Sequence, residues 1–221
     1  MNDTLKYIAD RYQISFDQEM PIKLASDRMK EMPKLFRKLG FQVGAEIGVA
    51  TGRYSKVLCQ WMPGLKLYCV DPWTEYDDYV ESKTVAGQAT LTTILEQSKT
   101  RLAPFNCEFV RSFSMDAVKD FKDGSLDFVF IDGNHSFEFV INDIAEWSKK
   151  VRVGGIVSGH DYWNSGDTPT RHLYIKNPTP EQKIRLCQVK DAVDAWTKSN
   201  QIRPWFVTAL DNCSSWFYVK E

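Results

Sequence analysis

The stretch Glu46-Ile47-Gly48-Val49-Ala50-Thr51-Gly52 constrains the fold more than any other part of this chain. An apolar run ends in it, and a helical stripe of Tyr54, Val57, Leu58 and Trp61 leaves it. A strand feeding a glycine turn and then a helix N-terminus is half of a βαβ unit, and it turns backbone N–H groups toward a polar ligand. Gly48 permits a tight turn or a positive φ, and Gly52 lacks the Cβ that would hold backbone and ligand apart. Ala50 stands where the second glycine of the dinucleotide pattern Gly-x-Gly-x-x-Gly would be, which weakens a nicotinamide reading.

Four more apolar runs follow the first one at residues 43–49: residues 67–70, 107–110, 126–131 and 153–157. Each is short, ends at a polar residue or glycine, and reads as a parallel strand buried on both faces. Between them lie helical patterns, with Phe137, Val140, Ile141, Ile144 and Trp147 the clearest stripe and residues 85–102 another. Residues 204–209 and 215–219 read as a closing antiparallel pair after a helix over 184–196. The expected class is α/β, a Rossmann-like doubly wound sheet, mostly parallel with an antiparallel C-terminal strand. Residues 1–40 are expected to be a helical N-terminal extension, with a helix over 21–39 interrupted at Pro33 and closed by Gly40. Residues 41–221 form the main domain, with an insertion loop over about 161–183 that is polar and rich in Pro, Gly, Asn and Thr.

A net charge of −1 offers no general field for phosphate backbones, so nucleic acid is not an expected partner. Cys59, Cys69, Cys107, Cys187 and Cys213 are scattered and odd in number, as buried reduced thiols are, and a cytoplasmic location is expected. No run approaches the roughly 20 apolar residues of a membrane span, and the first residues have no apolar leader. The apolar N-terminal segment can cover its own core or the sheet edge of a second copy, leaving a homo-oligomer open.

Asp71 ends the second strand, 71 − 52 = 19 residues beyond Gly52. At that separation an acidic side chain can accept both hydroxyls of a ribose. The run from Ala45 through Gly52, with Val70-Asp71-Pro72-Trp73, resembles the first two motifs of the class I S-adenosylmethionine-dependent methyltransferases. By that likeness Glu46, Gly48 and Gly52 face the methionine moiety, Asp71 takes the ribose, and Trp73 or a neighbour flanks the adenine. Members of the class often carry Gly-Asp-Ser after the third strand, where this chain has Ser112-Phe113-Ser114. The likeness then implies Phe113 against the ring and Ser114 hydrogen-bonding nearby.

Ligands of open α/β sheets bind outside the carboxyl ends of the strands. The fourth and fifth strands end in Asp132-Gly133-Asn134-His135 and Gly159-His160-Asp161-Tyr162, which hold two of the three histidines in the chain. Two carboxylates with imidazoles can hold a hard divalent cation or supply a general base. Asp132 can instead be a plain cap for the helix beginning near Ser136, and the histidines plain loop residues. Trp61, Trp147 and Trp196 read as core, whereas Trp73, Tyr76, Tyr162 and Trp163 fall in post-strand loops that can line a pocket. His172 and Arg171 lie in the long loop.

The segment Phe130-Ile131-Asp132-Gly133-Asn134-His135-Ser136-Phe137-Glu138, with Gly154-Gly155 and His160-Asp161-Tyr162, resembles methyltransferase family 24. That resemblance implies Asp132 and Asp161 as ligands of Mg2+ or another divalent cation, His160 beside them, and His135 as base or further ligand. It implies O-methylation of a hydroxyl on a small molecule or carbohydrate. Another Rossmann-type enzyme, either a nicotinamide oxidoreductase or an aminopropyl transferase, and a non-catalytic cofactor-binding module remain the alternatives.

Overall fold

The computed structural model describes residues 2–76, 88–164 and 187–221. Among these residues eight strands form one sheet: β1 (Ile22–Leu24), β2 (Val43–Ile47), β3 (Lys66–Val70), β4 (Cys107–Val110), β5 (Leu126–Ile131), β6 (Val151–Gly159), β7 (Trp205–Thr208) and β8 (Trp216–Val219). Their order is β1-β7-β8-β6-β5-β2-β3-β4, parallel except where β8 runs antiparallel to both neighbours. The order reverses at β2, which pairs with β3 on one side and β5 on the other. That switch point opens a crevice at the carboxyl ends of the strands.

Among the described residues, seven α-helices cover the two faces: α1 (Asp3–Tyr12), α2 (Glu31–Lys38), α3 (Arg53–Trp61), α4 (Gln88–Leu102), α5 (Ser114–Ala117), α6 (Phe137–Lys150) and α7 (Val189–Ser199). Alternation along β5 divides the core between them. Phe128 and Phe130 point toward Leu5, Ile8, Phe36, Tyr54 and Leu58 of α1 to α3, whereas Val129 and Ile131 point toward Val140, Ile144 and Trp147 of α6 and Val193 of α7. Full burial of side chains such as Phe128, Ile144 and Trp147 contributes about 1.5–3 kcal/mol each. No helix among the described residues is long and apolar enough to cross a membrane.

The N-terminal segment departs from the expected helix. Ile22-Lys23-Leu24 is a strand, parallel to β7 in register Ile22↔Phe206, with only Lys23 of the three exposed. Two apolar residues either side of a lysine fit a strand period as well as a helical one, and the free edge of β7 decides between them. Pro33 does not interrupt α2, because it falls in the first turn, where a backbone N–H has no intrahelical acceptor. Gly40 ends that helix at φ +73°, with Phe41 N–H donating to Phe36 O and Gly40 N–H to Arg37 O. The Phe36 and Phe41 rings meet across this turn at 5.7 Å, the apolar contact that accompanies a Schellman ending. The expected residues 85–87, 165–183 and 184–186, with Arg171 and His172, lie outside the described residues.

Candidate active site

Strand β2 delivers the glycine loop to the crevice, and each glycine there has a different job. A Cβ on Gly48 would lie 2.2 Å from the Asp132 carbonyl oxygen, and its φ is +86°. Only glycine therefore allows the loops after β2 and β5 to touch. Gly52 also has a positive φ, but a Cβ there would meet Ser98 Oγ at 2.7 Å and Leu102. Its missing side chain lets α4 approach α3.

The Asp71 carboxylate ties the loop in place. One oxygen accepts from Val49 N–H at 3.0 Å and Ala50 N–H at 2.9 Å, the other from Trp73 N–H at 2.7 Å. Burial raises the carboxyl above its ordinary pKa, opposed by those three backbone donors. An ionised carboxylate has about four acceptor positions, so about one is left for a ribose hydroxyl. Trp73, 1% exposed, donates from its indole to Ala50 O at 3.0 Å and holds the same loop from the other side.

Glu46 points away from the crevice. Its carboxyl accepts from Ser55 Oγ on α3, and burial pushes its pKa up to about 8 against that hydrogen bond. It is therefore a neutral acid at neutral pH, fixing α3 to β2. It is absent from the residues that line the cavity described next.

That cavity, of 680 Å³, lies across the switch point. Gly48, Ala50 and Asp71 form one wall and Asp132, Gly133 and Asn134 another, while Phe113, Met115 and Phe139 close the apolar end. Tyr76 also faces it, edge-on to Phe113 with ring centroids 5.2 Å apart. Tyr162 and Trp163, expected as pocket candidates, turn elsewhere: Tyr162 donates to Asp194 and Trp163 to Cys187 Sγ.

Asp132 is shared between this cavity and a cluster of charged groups. His135 Nε2 lies 3.5 Å from Asp132 Oδ1 and 3.2 Å from Asp161 Oδ2, and His160 Nδ1 lies 3.6 Å and 3.1 Å from the Oδ1 atoms of the same two residues. Burial alone would raise the Asp132 carboxyl, but His160, His135 and Arg28 outweigh it and hold it far below the usual range. Burial likewise disfavours a charged His160, yet Asp132 and Asp161 raise it to about 9. The Cys213 thiol donates to Asp161 Oδ1 at 2.9 Å. The helix-cap alternative for Asp132 fails, since Asn134 Oδ1 accepts from Ser136 N–H at 3.0 Å while Asp132 faces the cluster. The structure thus gathers Asp132, His135, His160 and Asp161 from two strand ends.

Arg28 is the member that sequence reasoning missed. Ala209 N–H donates to Leu24 O and Leu210 N–H to Ser26 O, which continue the β1–β7 pairing into the following loops. Arg28 N–H then bonds Asp211 Oδ2, and the guanidinium reaches Asp132 Oδ2 at 3.4 Å across the Tyr54 ring. No local pattern around residue 28 foretells this. Asp143 was missed as well, although its signal was present: a carboxylate on the apolar stripe of α6, three residues after Val140 and four before Trp147.

The crevice fits an adenosyl cofactor, with an apolar aromatic end, an acid beside the glycine loop, and a volume within the usual range for small-ligand sites. The charged cluster fits a divalent cation in composition, since ligand atoms of Asp132, His135 and Asp161 lie within 4.8 Å of one another. Two oxygens and an imidazole nitrogen suit manganese or a similar ion as well as magnesium.

Comparison with curated protein sequences returns no match. Among solved structures, a Staphylococcus aureus protein assigned as a caffeoyl-CoA O-methyltransferase superposes with a TM-score of 0.62 at 12% identity, over 99% of this chain and 93% of the other. A Bacillus cereus O-methyltransferase in complex with SAH gives 0.54 at 15% identity, over 100% and 92%. The O-methyltransferase TomG from Streptomyces achromogenes, in complex with SAM, gives 0.55 at 14%, over 100% and 91%. These likenesses establish the fold. Residues 45–162, just over half of the sequence, match the family described as a methyltransferase domain, and the chain belongs to that family as an S-adenosylmethionine-dependent methyltransferase.

Proposed function

We propose that this methyltransferase acts on a hydroxyl of a small molecule or carbohydrate, presented to the cofactor at the cluster of Asp132, His135, His160 and Asp161. The observation that carries the reading is the position of Asp132, which lines the cofactor cavity and at the same time has His135, His160 and Arg28 within 3.6 Å of its carboxylate. A hydroxyl held there sits beside the reacting end of the cavity, where transfer needs alignment and removal of one proton. The O-methyltransferases among the structural neighbours support this choice of acceptor.

When bound, the cofactor supplies a methyl group on a sulfonium, and a divalent cation at Asp132, His135 and Asp161 supplies a lowered pKa at the acceptor oxygen. His135 Nε2, between Asp132 and Asp161, is placed to be the nitrogen ligand of such a cation. Without a cation, Asp132 and Asp161 raise His160 to about 9, and its positive charge balances the two carboxylates. Gly48 keeps the cofactor loop against the Asp132 backbone, so the two halves of the site are in contact.

The test is transfer of labelled methyl to a panel of phenols and sugars, with and without a chelator, and then with magnesium or manganese restored. Label on oxygen, lost with chelator and regained with metal, is the expected result. Undiminished transfer in chelator rejects the cation, and label confined to nitrogen or carbon rejects the hydroxyl acceptor.

A further inference from the structure

Asp143 lies on α6, is 4% exposed, and lines the cofactor cavity, yet nothing in the catalytic account uses it. Its Oδ1 accepts from Ser114 Oγ, and Ser114 Oγ in turn accepts from Trp147 Nε1 at 2.8 Å. Because an indole N–H can only donate, the single Ser114 proton is committed to Asp143, and the relay runs one way. Ser114 cannot then donate to a ligand. Among the described residues Ser114 is the one hydrogen-bond donor to this carboxyl, and Oδ2 lies 3.8 Å from where a Cβ on Gly133 would stand, at the cavity wall.

The surroundings identify the ligand chemistry. Phe113, Met115, Phe139 and Tyr76 make this the apolar, aromatic end of the cavity. A flat heteroaromatic ring is the part of an adenosyl cofactor that such an end accepts. A buried acceptor oxygen beside the ring requires a donor from the ligand, and the exocyclic amino group is the adenine edge that supplies one.

We propose that Asp143, oriented by the Trp147–Ser114 relay, is the residue that reads the adenine amino group and makes this site selective for adenine over a 6-oxo purine. The proposal rests on the cofactor assignment above. Burial pushes the Asp143 carboxyl up to about 7, with the Ser114 hydrogen bond opposing. An amino donor favours its ionised form, so binding near neutral pH releases a fraction of a proton.

Calorimetry with S-adenosylhomocysteine and its deaminated counterpart, S-inosylhomocysteine, tests this. The wild-type chain is expected to prefer the adenine ligand by about tenfold or more, the worth of one hydrogen bond to a charged group. Asp143→Asn, whose amide can donate to a 6-oxo group, is expected to cut that preference to about threefold or less. The proton release, read by repeating the titration in buffers of different ionisation enthalpy, is expected to disappear in the variant. Equal wild-type affinity for the two ligands, or an undiminished preference in Asp143→Asn, overturns the proposal, the first without any variant having to fold. Wild-type protein that binds neither ligand overturns the cofactor assignment itself, a result distinct from loss of selectivity.

Discussion

Replacing Glu46 with Gln should change how stability depends on pH, and the size of the effect follows from burial. Glu46 is 2% exposed on β2, its carboxyl accepts from the Ser55 hydroxyl, and its pKa rises from 4.5 to about 8. A folded-state pKa above the unfolded one favours folding fully below about pH 4.5, and the advantage is lost progressively as pH rises to about 8. That rise from 4.5 to about 8, at about 1.4 kcal/mol for each pH unit, amounts to roughly 5 kcal/mol as an upper bound. Gln accepts the same Ser55 hydrogen bond through its amide oxygen and has no proton to lose. Denaturant unfolding at a series of pH values from 4.5 to 8.5 would then give two curves that diverge. The stability of Glu46→Gln relative to wild type should rise by several kcal/mol across the range. Parallel curves would refute the picture of a neutral buried acid and would place an ionised Glu46 beside Asp132.

Asp71→Ala should weaken S-adenosylmethionine binding by about tenfold or more, because Val49, Ala50 and Trp73 lose the acceptor of their N–H groups. Asp132→Ala should instead lower the transfer rate by about a hundredfold and leave cofactor affinity within about threefold, read by calorimetry and single-turnover assays. Arg28→Met frees Asp132 Oδ2 from a partly exposed guanidinium worth at most about 1 kcal/mol, so cation affinity should rise by up to about fivefold. A fall in cation affinity would show that Arg28 supports that site instead of competing for it. Gly48→Ala should cost about 3 kcal/mol or more of stability, since its Cβ meets the Asp132 backbone at a positive φ; thermal unfolding reads this directly.

The sheet was legible because β2, β3, β4 and β5 are apolar runs set between polar breaks, and the acid after β3 marks the cofactor crevice in the sequence itself. Segment β1 was not, because three residues carry no period that separates a strand from a helix, and the edge of β7 that captures them lies about 180 residues away. Asp132, His135, His160 and Asp161 were legible as neighbours because strand ends in one sheet lie side by side. The details of the glycine loop were not: Gly52 serves the approach of α4, and Asp71 spends most of its acceptor capacity on backbone, both consequences of how elements meet in three dimensions. Arg28 reaches the site through a pairing of loops that no local motif encodes. Asp143 stood in view on an apolar stripe, and a charge in such a place is a question the sequence raises and the cavity answers.

Titration of the wild-type chain with S-adenosylmethionine, set beside the same titration with NAD, tests the central claim most directly. The account predicts one saturable site of micromolar affinity for the methyl donor and no comparable heat with NAD. Saturable NAD binding, or no heat with the methyl donor under conditions where the chain is folded, would contradict it.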